Sequence, residues 1–271
     1  MSKFKARIIH LTPILTSLIF GFICSFILLE SSLRLHSVTP FPESPEGSIG
    51  NAFYFVVLLL VGATILLTLL RIKNPRLVLV FTGTVVSITI FFLSAVYLLA
   101  LSTIIFPIRF EAILIFSACL TLSSLYLIFK ASNRVSSLVI IAIGGALGAF
   151  LGSSIQTLST LAILCFLAFY DIFAVYRGPI GKIASQGLEK IRGLILSFKD
   201  VHIGLGDLTF YSMLMGHMLL NFGIIACLMS MVGILTGCYL TLKMLEKKEI
   251  FPGLPLPIFL GLASGFISTL L

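Results

Sequence analysis

Long apolar runs alternating with short clusters of charge and proline set the organisation of this chain. A helix that crosses the hydrocarbon of a bilayer needs about 20 apolar residues at about 1.5 Å rise each. Runs at 8–29 and 51–70 are each one crossing long. Between them, 30–50 carries Pro40, Pro42, Pro45, Glu43 and Glu46 and reads as a polar loop too broken to be helical. The next apolar stretch is double length and divides at Pro107, Arg109 and Glu111 into spans 77–101 and 110–129. Another divides at Gly152-Ser153-Ser154-Ile155-Gln156 into 135–152 and 157–176. A basic loop fills 177–203. Beyond it lie 205–221 and 223–242, broken near Asn221-Phe222-Gly223, and a last span at 254–271. The pattern predicts an all-α polytopic membrane protein of nine transmembrane helices, with 1–271 forming a single membrane domain.

Composition agrees and narrows the class. The chain is 59% hydrophobic and 10% charged, where an ordinary soluble domain is roughly 25% charged. A soluble core cannot hide that much apolar surface. The net charge of +8 would suggest nucleic acid in a soluble chain, but there is no basic stripe interleaved with exposed aromatics. The bases sit in short loops, where they set topology. With the N-terminus in the cytoplasm, all but Arg34 and Arg109 of the 18 Lys and Arg fall on the inner side. That asymmetry would collapse if one boundary in mid-chain were missing or spurious, so count and orientation support each other. The expected location is the cell membrane, multi-pass, with the C-terminus extracytoplasmic. The first run is longer than a signal-peptide core and lacks a small-x-small cleavage site near its end, so it reads as an uncleaved first span. All five Cys lie in apolar runs without CxxC spacing, which supports neither a metal site nor a disulfide framework. No cofactor is expected.

Glycines recur at four-residue spacing at Gly144, Gly148 and Gly152 in span five, stripping one helix face so that a neighbour can approach closely. Gly233 with Gly237, and Gly261 with Gly265, have the same spacing. In the basic loop, Ile183, Leu188, Ile191, Leu194, Ile195 and Phe198 alternate with Lys182, Lys190, Arg192 and Lys199, which suits an interfacial amphipathic helix. A gate over the site is the sharper alternative.

Chemistry narrows to acids. The chain has three Asp, and two of them, Asp171 and Asp207, lie inside or at the mouth of apolar spans. An aspartate at hydrocarbon depth costs several kcal/mol unless partnered, so it marks a functional site by default. Asp171 precedes Arg177 by six residues, about 9 Å along a helix. Asp207 lies roughly 10–12 Å from Lys199 if a helix starts there, and less if the glycines delay it. Consecutive antiparallel spans thus carry their acids at matching depth. Two carboxyls that meet cannot both ionise cheaply and share one proton. The ionised partner can then activate water while the protonated one polarises a carbonyl and protonates the leaving amine. The same pair suits a proton- or cation-coupled transporter, and a lone membrane Asp is often structural. Gly204 and Gly206 beside the acid leave backbone open to close approach. Tyr211 shares the helix face of Asp207 and is placed either to bond the pair or simply to pack. His217 reads as a hydrogen-bonded core residue, His202 as interfacial and Glu111 as solvated.

Tyr170-Asp171 in span six, Gly204-Leu205-Gly206-Asp207 opening span seven, and Pro252-Gly253-Leu254-Pro255-Leu256-Pro257 opening span nine resemble the presenilin and signal peptide peptidase family of intramembrane aspartyl proteases, in the compact form of its archaeal homologues. The family pattern is Tyr-Asp, Gly-x-Gly-Asp and Pro-Ala-Leu, in that order, on the sixth, seventh and ninth of nine spans. The resemblance implies Asp171 and Asp207 as catalytic dyad and Tyr170, Gly204, Leu205 and Gly206 as shaping the site. It implies Pro252, Gly253, Leu254 and Pro255 as the substrate-docking segment, with transmembrane-helix proteins as substrates. Gly253 stands where the family has Ala, and Pro255-Leu256-Pro257 offers a second docking frame. Water must then reach the pair through a cytoplasm-facing cavity between spans six and seven.

Overall fold

The computed structural model describes residues 5–33, 35–72, 74–177, 195–198, 201–247 and 251–270. Among them are nine α-helices: α1 (Thr12–Glu30), α2 (Pro45–Arg71), α3 (Pro75–Ile104), α4 (Phe110–Lys130), α5 (Asn133–Ser154), α6 (Thr157–Arg177), α7 (Leu205–Phe222), α8 (Ile224–Leu245) and α9 (Pro255–Thr269). A 3₁₀ turn, Ile8–Leu11, leads into α1. Two short strands, β1 (Ile195–Phe198) and β2 (Val201–Gly204), pair antiparallel ahead of α7, with Ile195 opposite Gly204. Seven of the helices are long and apolar enough to cross a membrane; α7 and α9 are the two that are not among them.

The exception of α7 has a physical reason. Every residue from Leu208 to Leu219 is buried, with α1, α5, α6, α8 and α9 packed around it. A helix enclosed by protein need not present an apolar exterior to lipid, so it tolerates Asp207, Thr209, Ser212 and His217. The outer helices do the reverse. Phe53, Leu58 and Val61 on α2, Val80 and Ile88 on α3, and Ile115, Phe116 and Leu122 on α4 are exposed, as lipid-facing side chains should be.

Glycine sets the distance of approach around α7. A Cβ on Gly152 would stand 2.6 Å from the Met213 carbonyl oxygen and 2.8 Å from the His217 nitrogen; one on Gly148 would meet the Thr209 carbonyl. The stripe on α5 therefore brings it backbone to backbone with α7. Gly145 does the same for α1: a Cβ there would stand 2.6 Å from the Ser17 carbonyl oxygen. The second pair of stripes joins α8 to α9: a Cβ on Gly237 would stand 2.5 Å from the Pro257 backbone, and one on Gly261 would stand 2.6 Å from Ile234 Cγ1. Deeper in α7, His217 Nδ1 lies 2.9 Å from the Gly152 carbonyl oxygen, a buried histidine bonded within the core. Asn221 Nδ2 donates to the His217 carbonyl (3.0 Å) in the last turn. Gly223 then breaks α7 from α8 with φ +89°, a conformation that glycine adopts without steric cost.

Two expectations need correction. Residues 45–50 are helical, because α2 starts at Pro45. The fixed φ of proline suits the first helical position, and the Ser44 hydroxyl accepts from the Gly47 N–H at 3.0 Å as N-cap. The preceding loop is pinned at Asn51, whose Nδ2 donates to the Phe41 carbonyl (3.1 Å) and to Ser159 Oγ on α6 (2.9 Å). In the basic loop, Ile195 and Phe198 belong to strand β1 rather than to an amphipathic helix. The other residues of that expected helix, Lys182 to Leu194 and Lys199, lie outside the described residues, as does the gate alternative.

Candidate active site

Three elements converge where β2 gives way to α7. Gly204 is the N-cap of α7 in an extended conformation, φ −72° and ψ 144°, so Asp207 falls in the first turn of the helix, where unpaired N–H groups and the helix dipole favour a carboxylate. The helix begins at Leu205, later than the earliest start the sequence permitted. Leu205 locks this turn against α5, its Cδ1 lying 3.3 Å from where a Cβ on Gly144 would stand. Gly206 is exposed, and among the described residues a Cβ on it would meet only Phe210, at 3.8 Å. A Cβ on Gly204 would stand 3.6 Å from Asp207 Oδ2. That is ordinary contact, so the protein's own packing does not demand glycine at 204 or 206. Gly206 leaves open space and bare backbone beside the acid, whereas Gly204 pairs with Ile195 in the strand ladder and bonds the Asp207 carboxyl through its backbone.

Asp171 reaches the same place from α6. That helix packs against α7 and α9, with the Phe169 and Phe259 rings edge to face at 5.8 Å. Asp171 Oδ2 accepts the Leu254 N–H at 2.9 Å. On the other side, the Asp207 carboxyl lies against Gly253: a Cβ there would stand 3.5 Å from Asp207 Oδ2 and 3.8 Å from Oδ1. The two acids, 36 residues apart in sequence, therefore meet on one dipeptide of the chain, Gly253-Leu254. Both are part-buried.

The proline segment owes its shape to missing donors. Pro252 and Pro255 flank the dipeptide and cannot donate hydrogen bonds, so the chain stays irregular until Pro255 opens α9 at its first position. Pro252 and Leu254 are buried. Of the two possible frames, the structure turns Pro252-Gly253-Leu254 to the acids, whereas Pro257 in the second frame packs on Gly237 of α8.

One contact was not foreseen. The Tyr211 hydroxyl donates to the Gly253 carbonyl at 3.0 Å, so it bonds the proline segment rather than the acids. Shared helix face with Asp207 was the available signal; the partner lay 42 residues on. Tyr170, beside Asp171, is part-exposed. Glu111 is exposed in the first turn of α4 and His202 is exposed on β2. Among the described residues no cluster of His, Cys, Asp or Glu could hold a metal ion. A cavity of about 480 Å³, lined in part by Thr12, Thr16, Arg134 and Phe198, belongs to α1, α5 and β1, away from the acids.

Comparison with known proteins places this geometry. The chain superposes on two solved structures of a presenilin family intramembrane aspartate protease. The C222 crystal form gives a TM-score of 0.72 over 96% of this chain and 98% of that one, and the P2 form gives 0.68 over 96% and 95%. At 21% identity in both cases, this likeness is one of fold. Presenilin-B of Dictyostelium discoideum is 36% identical over 124 residues, covering 41% of this chain and 25% of that protein; the match spans only a quarter of the relative's length. A presenilin family model matches residues 182–271. The family model described as signal-peptide peptidase, presenilin aspartyl protease matches residues 18–186, well over half of the chain. A polytopic helical protein with two acids on neighbouring helices meeting at a proline segment, this chain belongs to the signal-peptide peptidase and presenilin aspartyl protease family.

Proposed function

We propose that the protein is an intramembrane aspartyl endopeptidase of the Gly-x-Gly-Asp type, with Asp171 and Asp207 as its general acid/base dyad and transmembrane-helix proteins as substrates. The observation that carries this reading is the meeting of both carboxyls on the Gly253-Leu254 dipeptide. Two carboxyls facing one dipeptide can share one proton, one taking a proton from water while the other gives one to the leaving amine. Water attacks the scissile carbonyl, the tetrahedral species collapses, and a carboxylic acid and an amine result, with no covalent enzyme intermediate. The substrate helix must unwind first, because helical amides are enclosed and already bonded. The exposed backbone at Gly206 gives an unwound strand room beside Asp207, and the non-helical 252–254 segment offers main chain for strand addition. Tyr170 and Leu205 shape the site, and Pro252 and Pro255 hold the docking segment irregular.

Charge asymmetry supports a cytoplasmic N-terminus and an extracytoplasmic C-terminus. With that orientation the acids lie toward the inner face, reached by water from the cytoplasm between α6 and α7, and substrates are single-span proteins with their N-terminus outside.

The test is cleavage of a single-span substrate by purified, reconstituted protein in water labelled with heavy oxygen. Hydrolysis puts the label in the new C-terminal carboxyl, read by mass spectrometry, and proceeds in the presence of metal chelators. An intact substrate would return the acids to the rival reading of a proton- or cation-coupled transporter.

The departure from the family pattern at Gly253 carries its own prediction. A methyl group there fits at ordinary contact distance from Asp207. Gly253→Ala should therefore change the cleavage rate by roughly twofold or less, the size of a neutral substitution. A loss of a hundredfold would show that the space beside Asp207 at this residue is itself required.

A further inference from the structure

The Gly253 carbonyl and the Leu254 N–H belong to one peptide group, and each end of that group is held by a different helix. Tyr211 Oη on α7 donates to the carbonyl at 3.0 Å, and Asp171 Oδ2 on α6 accepts from the N–H at 2.9 Å. Tyr211 is one helical turn beyond Asp207 and only 4% exposed, with Cys238 of α8 beside its hydroxyl. A part-buried peptide group bonded at both ends is fixed in rotation about the chain axis, and bonds in series polarise one another.

We propose that Tyr211 is a positioning residue for the acid pair. By holding the 253–254 peptide plane, it aims the Leu254 N–H at Asp171 and thereby sets the orientation of the Asp171 carboxyl relative to Asp207. Without the hydroxyl, the peptide is free to swing and the Leu254 N–H is no longer aimed at the carboxyl, which is left with the Gly253 backbone as its other donor. This inference rests on the protease reading for its catalytic consequence, though not for the clamp itself.

Tyr211→Phe removes the hydroxyl and keeps the ring. Tyr97→Phe is the control: its hydroxyl also donates to a backbone carbonyl, that of Ala146 at 2.7 Å, between α3 and α5. Two readouts are compared in detergent-solubilised full-length protein. The first is hydrogen–deuterium exchange of a peptide covering 251–257, measured without substrate. Pro252, Pro255 and Pro257 contribute no N–H, so Gly253 and Leu254 weigh heavily in it. The second is the split between kcat and KM. Tyr211→Phe should raise deuterium uptake in 251–257 by about tenfold and lower kcat by about tenfold, with KM little changed, the scale of one net hydrogen bond. Tyr97→Phe should move neither.

Native-like uptake in Tyr211→Phe overturns the clamp. Faster uptake with unchanged kcat overturns the positioning role, and so does an equal kcat loss in both variants. Failure of the native chain to cleave at all is instead the failure of the protease reading. The two failures are distinguishable, because the exchange comparison needs no substrate and decides the clamp alone.

Discussion

Asp171→Asn and Asp207→Asn are each expected to abolish substrate cleavage, by about a thousandfold or more, the scale of lost acid–base catalysis. Asparagine is the informative substitution because it preserves shape. At 171 the amide oxygen can still accept the Leu254 N–H that Asp171 Oδ2 accepts at 2.9 Å, so the proline segment keeps its anchor. At 207 the side chain still fits the first turn of α7. Each variant should therefore fold, bind substrate and fail at proton transfer. Loss in both singles with native thermal stability supports a dyad; persistent cleavage in either removes that residue from the chemistry. A structural role for either acid predicts the opposite pattern, lost stability with proportionate loss of rate.

The second large effect lies away from the acids, on the face that seats α7. A side chain at Gly148 would run into backbone: the Thr209 carbonyl, and the Met213 nitrogen at 2.7 Å, besides Ser212 Cβ at 2.6 Å. Backbone cannot rotate aside as a side chain can, so α5 and α7 must separate. Gly148→Val should cost about 3 kcal/mol or more, at the upper end for overpacking. Because α7 carries Asp207, cleavage should fall with stability. Gly62 on α2 is the contrast, with nothing among the described residues within 4 Å of where a Cβ would stand. Gly62→Ala should be neutral or stabilise by about 0.5–1 kcal/mol, by removing a flexible residue from a helix interior. Thermal unfolding in detergent, read together with cleavage, separates the two. Equal effects at both positions would mean that helix propensity, not interhelical approach, explains the glycine stripe.

Hydropathy made much of this architecture legible because lipid imposes one rule on every outward-facing helix. Where protein replaces lipid as the neighbour, the signal weakens. Helix α7 betrays itself through Asp207, yet its burial from Leu208 to Leu219 is not written in its composition, since a helix surrounded by helices can be polar at intervals. The start of α2 was misread because proline counts as a breaker in a polar stretch. At Pro45, with Ser44 before it, the same residue opens a helix instead. Ile195 and Phe198, spaced like one face of a helix, sit in a strand because β2 pairs with them, a tertiary choice that overrides a period counted on a few residues. The acids were legible as rare charges in apolar spans, and the glycines as a stripe. The bond from Tyr211 to Gly253 was not, because facing along a helix says which residues share a side and nothing about what lies across from them.

The central claim is that both carboxyls act on one scissile peptide bond. An experimental structure with a peptide-like inhibitor bearing a hydroxyl in place of the scissile carbonyl tests it directly. The hydroxyl should lie within about 3.2 Å of Asp171 and of Asp207. The contradicting result is a bound inhibitor touching one carboxyl only, with the other beyond the reach of a single bridging water, more than roughly 6 Å away.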